Sequence, residues 1–163
     1  MDAPALVWFK RDLRVNDHAP LAAALRAGSV AALFVIEDEW LASPECDPRH
    51  VAYALSCITQ LRDSLRAMGV PLLLRRGSLP GVLQNVQTAF PFRRLLSHEE
   101  TGSGWTYARD LRVARWCREA GVAWEEFPQT GVIRRLENRN GWAARWERRM
   151  RQPLIAAPLG ALR

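Results

Sequence analysis

The chain has 163 residues, 48% hydrophobic and 25% charged, a balance that excludes a disordered or fibrous protein. Its length suits one domain of ordinary size and excludes two. The formal charge of +6 lies wholly in residues 105–163, which hold 12 basic and 6 acidic side chains, whereas residues 1–104 hold 11 of each. The three cysteines are too far apart in sequence to predict a zinc site or a disulfide framework. With no signal peptide and no run of about 20 apolar residues, we expect a soluble cytoplasmic protein.

Short apolar runs alternate with amphipathic helical patterns along most of the chain. The apolar runs are continuous, which is typical of strands covered on both faces in a parallel sheet. Strands are predicted at 6–9, 30–36, 72–74, 95–97 and 122–127, and helices at 19–27, 49–68, 79–90, 106–120 and 142–150. This alternation predicts an α/β fold: a Rossmann-like, doubly wound sheet of five parallel strands in the order 3-2-1-4-5, with helices on both faces.

The C-terminal segment differs in composition from the rest of the chain. We predict an α/β domain over residues 1–133, and an Arg/Trp-rich helix followed by the start of a Pro-containing interdomain linker over residues 134–163. Trp142, Trp146 and Met150 recur at helical spacing and therefore share one face of that helix. Three interpretations of this face stay open: packing on the core, docking onto a second domain, or stacking on single-stranded nucleic acid.

Two loops at the predicted carboxyl ends of strands carry the candidates for ligand binding, residues 10–18 and residues 98–105. Ligands of doubly wound sheets bind where the strand order reverses, which here is between the first and fourth strands. In the first loop, Arg11, Asp12, Arg14 and Asp17 alternate in sign. This alternation predicts either an internal ion-pair network or an Arg-lined mouth for an anionic ligand.

The second loop also allows more than one interpretation. Gly102–Gly104 separates a strand from a helix, so its backbone N–H groups form either a tight turn or a cradle for an anion. His98, Glu99 and Glu100 are adjacent, and neighbouring side chains at a strand end point apart, so we expect no metal site there. The sequence contains no P-loop and no nucleophile motif, and we predict no catalytic residue in this chain.

Residues 7–17, VWFKRDLRVND, resemble the start of the DNA photolyase/cryptochrome family. Supporting similarities follow at His18, Pro20-Leu21, Gly77-Ser78, residues 106–110 (TYARD) and residues 130–133. The resemblance covers nearly the whole chain and corresponds to the N-terminal α/β domain of the family. In the family this domain often carries an antenna chromophore (a folate, a deazaflavin or a flavin), and a C-terminal helical domain binds FAD and carries out light-driven electron transfer.

The resemblance implies a role as part of a larger light-driven flavoprotein. The chain would be the N-terminal domain of a deoxyribodipyrimidine photolyase or a cryptochrome-like protein, binding an antenna chromophore and supporting an FAD domain that this chain lacks. Its partners would be that domain and, through it, DNA, with no membrane involved. Full-length relatives are lyases that repair cyclobutane pyrimidine dimers, or light sensors, and we expect the chain alone to be inactive.

The resemblance also suggests which residues lie at the antenna site. Carried over by motif, Arg11 and Asp12 would lie near the chromophore, with Glu37 after the second strand as a further candidate. Where a folate is used, the family pattern carries an acidic residue in NExxRD, but Trp105 and Thr106 stand at those two positions here. This departure favours a deazaflavin or flavin near Trp105, or no chromophore, over a folate.

Two alternatives from other functional classes remain. The chain is also consistent with a free-standing nucleotide- or flavin-binding module of the electron-transfer-flavoprotein type. The excess of arginine in residues 142–151, together with its tryptophans, is also consistent with a basic nucleic-acid-binding domain. The same arginines are also consistent with a helix face that is exposed to solvent and binds no partner.

Overall fold

The computed structural model describes residues 4–134 and 136–157. Five strands and six helices alternate along the chain. In chain order they are β1 (Ala5–Phe9), α1 (Ala19–Ala27), β2 (Val30–Glu37), α2 (Asp38–Ala42), α3 (Pro48–Ala67), β3 (Leu72–Gly77), α4 (Gly81–Ala89), β4 (Arg94–His98), α5 (Gly104–Glu119), β5 (Ala123–Phe127) and α6 (Trp142–Met150). Among the described helices, none combines the length and apolar character needed to cross a membrane.

The five strands form one parallel sheet in the order β3-β2-β1-β4-β5, which confirms the predicted fold class and strand order. The central strand β1 pairs on both sides, so that Val7 lies opposite Ala32 of β2 and Leu96 of β4. The chain moves outward from β1 in one direction and then returns to start β4 on the other side. The carboxyl ends of β1 and β4 therefore frame the point where the strand order reverses.

Alternate side chains of β1 enter two separate hydrophobic cores. Val7 and Phe9 pack with residues of α1 and α3 on one face, whereas Leu6 and Trp8 pack with residues of α4 and α5 on the other. All five residues of β1 are buried, which is why the strand reads as an uninterrupted apolar run. The sheet is thus covered on both faces, and its open carboxyl edge is where polar side chains collect.

Local sequence signals fix the start of α1. His18 is the N-cap residue, and its Nδ1 accepts a hydrogen bond from the backbone N–H of Leu21, while Pro20 occupies the first turn. Gly28 follows the helix with φ at 121°, a backbone region that favours glycine. These signals place His18 at the same sheet edge as the loop after β1.

The structure differs from the sequence-based elements mainly at the edge strand β3, at α2 and just after β5. Strand β3 continues through Arg75 and Arg76, which are exposed on the outer edge and so lack the apolar pattern of an interior strand. The short helix α2 was not predicted, because its five residues are too few for a helical period. Residues 130–133 form no strand and lead into the C-terminal segment as irregular chain.

The C-terminal segment contacts the rest of the molecule through few residues. None of the residues of α6 is buried. The guanidinium of Arg149 donates to the carbonyl of Pro128, and the backbones of Asp17 and Ile155 are hydrogen-bonded, with Asp17 N donating to Ile155 O at 2.7 Å. The boundary after residue 133 and the linker stay predictions, and the last part of that linker, residues 158–163, lies outside the described residues.

Candidate functional site

A cavity of about 400 Å³ opens at the carboxyl edge of the sheet. This volume falls within the range of about 300–1,000 Å³ that is usual for small-molecule sites. Its lining combines residues 10–14 after β1, Phe34, Val35 and Glu37 of β2, side chains of α2 and α3, and Trp105 and Arg109 of α5. The cavity therefore lies at the edge where a doubly wound sheet presents its ligand.

The four residues predicted for the antenna site all line this one cavity: Arg11, Asp12, Glu37 and Trp105. They are contributed by β2, by the loop after β1 and by α5, so only the fold brings them together. The structure extends the predicted region toward α3, because the sequence argument considered only the loops after the first and fourth strands. Their role in binding stays a prediction.

A second cavity of about 300 Å³ shares part of its lining with the first. Lys10, Arg11 and Asp12 belong to both linings, and the second cavity also touches Gly102 and Ser103 of the glycine loop. The loop thus lies at the predicted edge between β1 and β4. Whether it cradles an anion stays a prediction.

Asp12 is the centre of a buried cluster that joins three segments. Its Oδ1 accepts a hydrogen bond from the backbone N–H of Lys10 at 2.9 Å. Its Oδ2 lies 2.9 Å from Nε2 of His18 and 2.5 Å from Nδ1 of His98. The loop after β1, the N-terminus of α1 and the end of β4 are therefore tied together by one carboxylate.

The charged side chains of the first loop do not form ion pairs with one another. Asp12 pairs with two histidines, while Arg11 lies 3.2 Å from Glu100 and Arg14 donates to backbone carbonyls of its own loop. Sequence spacing within one loop cannot reveal such partners, because they come from other elements. Arg11 is half exposed and lines the cavity, and its role toward an anionic ligand stays a prediction.

The pKa values of this cluster follow from burial and hydrogen bonding. Burial alone would raise the pKa of Asp12, but the hydrogen bonds and charges of His18 and His98 outweigh it and hold that pKa well below its usual range. For His18, burial lowers the pKa more than its bond to Asp12 raises it. His18 is therefore a neutral donor to an ionised Asp12 near neutral pH.

This cluster is not arranged as a metal site, although its three side chains place ligand-type atoms within 4.8 Å of one another. Nδ1 of His18 accepts from the N–H of Leu21, so the imidazole proton is on Nε2 and points at Asp12. A metal ligand must instead offer a lone pair at that atom. The hydrogen bonds explain the cluster as a structural support for the cavity wall.

Arg109 is the centre of a second buried cluster in the site, and only 1% of its surface is exposed. Its guanidinium donates to Glu37 at 2.7 Å, to Glu100 at 2.5 Å and to Asp110 at 2.8 Å. Burial lowers the pKa of Arg109, but the three carboxylates more than compensate and hold it above its usual value. The side chain is therefore a permanent cation inside the cavity wall.

Glu37 responds differently to the same surroundings. Burial raises its pKa to about 7 despite the opposing pull of Arg109. Its Oε1 accepts from Arg109, whereas Oε2 is buried and has no hydrogen-bond partner among the described residues. Glu37 thus keeps one carboxyl oxygen unpaired in the protein interior beside the cavity.

Aromatic side chains form the walls beside this charged network. The Arg109 guanidinium lies 4.9 Å from the ring of Trp8 and 5.5 Å from that of Trp105, so it is held between two tryptophans. Trp105 lines the cavity, as do Trp40 and Tyr53 from α2 and α3. Indole Nε1 of Trp105 is buried without a partner among the described residues. Aromatic walls with a few fixed polar atoms fit a planar heteroaromatic group.

Three buried polar residues of the site were not proposed as site residues from the sequence, namely Lys10, His18 and Arg109, and His98 was considered only as a metal ligand. His18 and Lys10 stand inside the motif that carries the resemblance, and Arg109 lies in its TYARD segment, so the motif itself was the available signal. Their roles as donors within the network depend on partners up to 100 residues away, as for Lys10 and Asp110. No local pattern reports such contacts.

Comparisons with known proteins agree with the fold. The family model "DNA photolyase" matches residues 5–146. Deoxyribodipyrimidine photo-lyase of Halobacterium salinarum is 34% identical over 132 residues, covering 75% of this chain and 27% of that protein. Cryptochrome DASH of Gloeobacter violaceus is 32% identical over 116 residues, covering 67% of this chain and 23% of that protein.

Solved structures are similar over nearly all of the chain. A Synechocystis cryptochrome has a TM-score of 0.79 at 18% identity, with 97% of this chain and 36% of that chain covered. A Sulfolobus tokodaii photolyase, described as holding two FAD molecules with the implication of a novel light-harvesting cofactor, has a TM-score of 0.74 at 18% identity, covering 96% and 37%. At these identities the structures show a shared fold.

The doubly wound parallel sheet, with a cavity at its carboxyl edge, defines a Rossmann-like α/β domain. Because the family model covers most of the residues, the chain belongs to the DNA photolyase family and corresponds to the N-terminal α/β domain of photolyases and cryptochromes. It spans about a quarter to a third of the length of the relatives it matches.

Proposed function

We propose that this chain binds an antenna chromophore in the cavity of about 400 Å³ at the carboxyl edge of the sheet. The observation that supports it best is the convergence of Arg11, Asp12, Glu37 and Trp105 on that cavity, since these residues come from three separate segments. A bound chromophore would supply light absorption, and the chain would supply a rigid, sheltered site. The whole protein would then use an FAD domain for light-driven DNA repair or light sensing.

The cavity residues would bind and orient the chromophore without reacting with it. Trp105 on α5 and Trp40 on α2 offer aromatic surfaces, on which a planar ring packs well. Arg11 and Arg14 at the mouth would attract an anionic or polar tail. The buried clusters of Asp12 and Arg109 hold these walls in place, so little ordering is left to occur upon binding.

A deazaflavin or flavin fits these residues better than a folate. The cavity offers an aromatic face at Trp105 where the folate pattern of the family has polar residues, as the sequence comparison indicated. The description of the Sulfolobus tokodaii photolyase, with two FAD molecules and the implication of a novel light-harvesting cofactor, supports a flavin as the chromophore.

Titration of the purified 163-residue chain with riboflavin, 5-deazariboflavin and a folate tests the proposal, with chromophore fluorescence and absorption as readouts. We expect the flavin-type compounds to bind and the folate to bind at least about tenfold more weakly. Ala54→Phe would fill part of the cavity and abolish binding, because Ala54 is a lining residue of α3.

Ala52→Phe is the matched control, since Ala52 is an exposed residue of the same helix and does not line the cavity. It should bind the chromophore like the unmodified chain. The proposal is overturned if no chromophore binds, or if Ala54→Phe binds as well as Ala52→Phe while both remain folded by circular dichroism.

A further inference from the structure

The exposed hydrophobic side chains of the molecule concentrate at its C-terminal end. Among the described residues, eleven large hydrophobic side chains are exposed, and six of them belong to residues 132–155: Val132, Trp142, Trp146, Met150, Leu154 and Ile155. Trp142 and Trp146 expose 40% and 42% of their surface, and their ring centroids lie 6.4 Å apart. Apolar side chains that cluster on a surface, unlike scattered ones, mark a binding surface. A ligand can therefore reach both rings without any change in the fold.

Arginines line one side of this aromatic pair. At about 100° per residue, Arg145 lies about 60° and Arg148 about 120° from Trp142 around the axis of α6. Trp146 lies on the other side of Trp142, so the arginines flank the aromatic stripe and do not interrupt it. Both guanidinium groups are exposed and have no hydrogen-bond or ion-pair partner in residues 4–134 and 136–157, and the same holds for Arg139 in the loop before the helix. The surface thus presents cations without carboxylate partners beside two aromatic rings.

The chemistry of the ligand follows from this combination. Unpaired arginines attract negative charge, and an indole face stacks on planar rings. A single strand of nucleic acid carries both, with a phosphate in every nucleotide and a base whose faces are open to stacking. In a duplex the bases are stacked on one another and present only their edges in the grooves. The surface therefore matches a single strand better than a double helix.

Two other anionic partners fit the geometry less well. A helix that lies in a membrane surface buries its apolar face by about 5–10 Å. Here Gly131 lies against the Trp146 ring, so this ring packs on its own domain, and Arg145 adjoins the stripe that would have to enter the lipid. An acidic peptide would pair with the arginines, but its carboxylates offer no ring to stack on the tryptophans.

We propose that α6 and the loop before it form a binding site for single-stranded nucleic acid. Trp142 and Trp146 stack on bases. The guanidinium groups beside them, those of Arg139, Arg145 and Arg148, contact the phosphates. None of these residues lines either cavity described above, so the inference does not rest on the proposed function. The nine-residue helix is about 14 Å long and therefore covers only a few nucleotides.

Fluorescence anisotropy of a labelled oligo(dT) strand, titrated with the unmodified 163-residue chain at several NaCl concentrations, tests this inference. Three phosphate contacts predict a slope of about −2 in log affinity against log salt, so binding should weaken about 20-fold between about 50 and 200 mM NaCl. Because bases and phosphates are common to DNA and RNA, oligo(U) should bind about as tightly as oligo(dT). The duplex of oligo(dT) with oligo(dA) should bind at least about fivefold more weakly than the single strand, since its bases are already stacked. Equal or tighter binding of the duplex overturns the inference.

Two variants separate the contribution of stacking from that of charge. Trp142→Leu keeps an apolar residue but removes the ring, so it should weaken oligo(dT) binding about tenfold and leave the salt slope unchanged. Arg145→Gln combined with Arg148→Gln removes two phosphate contacts, so the slope should change from about −2 to about −0.7. If either variant binds with the affinity and slope of the unmodified chain, the inference is wrong.

Matched controls make similar chemical changes elsewhere in the molecule. Tyr53→Leu removes an exposed ring from α3, which packs on β3 at the edge of the sheet opposite β5. Arg26→Gln combined with Arg66→Gln removes two exposed arginines near the C-terminal ends of α1 and α3, just before the amino ends of β2 and β3. Helix α6 instead binds the carbonyl of Pro128, beyond the carboxyl end of β5. Both controls should bind oligo(dT) within about twofold of the unmodified chain.

Three results would contradict the inference while circular dichroism shows that every variant is folded. The first is no binding of oligo(dT) to the unmodified chain at about 50 mM NaCl. The second is a loss of affinity in the controls equal to that in the α6 variants. The third is tighter binding of phosphatidylglycerol vesicles or polyglutamate than of oligo(dT), weakened by the same α6 variants, which would assign the surface to a membrane or to an acidic protein.

Discussion

At the residue scale, one carboxylate connects the parts of the chain that build the cavity edge. Asp12 accepts hydrogen bonds from His18 at the start of α1 and from His98 at the end of β4, all three being buried. Removing any member would leave a buried donor or acceptor without its partner, which is costly in a low-dielectric interior. The cluster therefore couples the stability of the fold to the geometry of the cavity.

The first prediction concerns the proton balance of His18. Its pKa in the folded chain lies below the unfolded value of about 6.5. As the pH falls below that value, the unfolded chain binds a proton that the folded chain refuses, so the free energy of unfolding decreases. Glu37, with a folded pKa of about 7, acts in the opposite direction between about pH 4.5 and 7, because there the folded chain holds a proton that the unfolded chain lacks.

Comparing the unmodified chain with His18→Asn isolates the histidine. Asparagine still caps a helix but does not titrate. Urea unfolding at pH 7.5, 6.5 and 5.5 should show the stability advantage of the unmodified chain over His18→Asn shrinking by about 1 kcal/mol across this range. His50→Asn, at an exposed histidine of α3, is the control and should track the unmodified chain. A constant difference between the unmodified chain and His18→Asn would contradict the assignment.

At the element scale, the interior strands and the edge strand β5 were predictable, whereas the end of the edge strand β3 was not. Val30–Glu37 reads as an apolar run because both of its faces are buried, and its last residue is already the cavity residue Glu37. Edge strand β3 instead carries exposed Arg75 and Arg76, so only hydrogen bonding to β2 defines its length. Helix α6 was predicted with the observed bounds because its apolar spacing is strong even without burial.

The second prediction concerns how α6 is attached to the domain. A Cβ built on Gly131 would collide with the Trp146 ring and come within 3.1 Å of Met150 Cε. Gly131→Ala should therefore weaken the packing of α6 against the domain by about 1–2 kcal/mol. The arginines of α6 are tryptic sites, so cleavage within the helix should accelerate about 5- to 30-fold.

Gly104→Ala is the matched control for that change, because a Cβ at Gly104 meets no atom within 4 Å. Limited trypsin digestion followed by mass spectrometry locates the cuts in each variant. Unchanged cleavage of α6 in Gly131→Ala would show that the contact between Gly131 and Trp146 does not hold the helix. Faster cleavage throughout the sheet would mean that the whole domain, and not α6 alone, had been weakened.

At the scale of the whole molecule, the cavity exists because the parallel sheet gathers loops that are distant in sequence. The sequence places Arg11, Asp12, Glu37 and Trp105 at the right edge through strand order and family motif. The sequence could not place Arg109 in the site, because an arginine in a helical pattern is normally expected to be exposed to solvent. Only the assembled fold surrounds it with carboxylates and tryptophans. Burial of charge is a property of the tertiary structure.

The three cysteines lie at different depths in the molecule, and the last prediction concerns their reactivity. Cys117 is 2% exposed, and burial raises its pKa to about 12, so it should react with a thiol reagent only when the molecule unfolds globally. Cys46 and Cys57 are half-buried and should react in the native state. Of these two, only Cys57 lines the larger cavity.

A bound chromophore should therefore slow the labelling of the Cys57 thiol and leave the labelling of the Cys46 thiol unchanged. With riboflavin at about ten times its dissociation constant, labelling of Cys57 should slow about tenfold, since only the free fraction of the protein reacts. Cys46 should label at an unchanged rate and so serves as the internal control, while Cys117 should stay unlabelled until urea is added. Peptide mass spectrometry after iodoacetamide pulses separates the three sites. If the labelling of Cys46 and Cys57 slows equally, the chromophore does not act by binding in the cavity. Labelling of Cys117 in the native state would show that the core between the sheet and α5 opens locally.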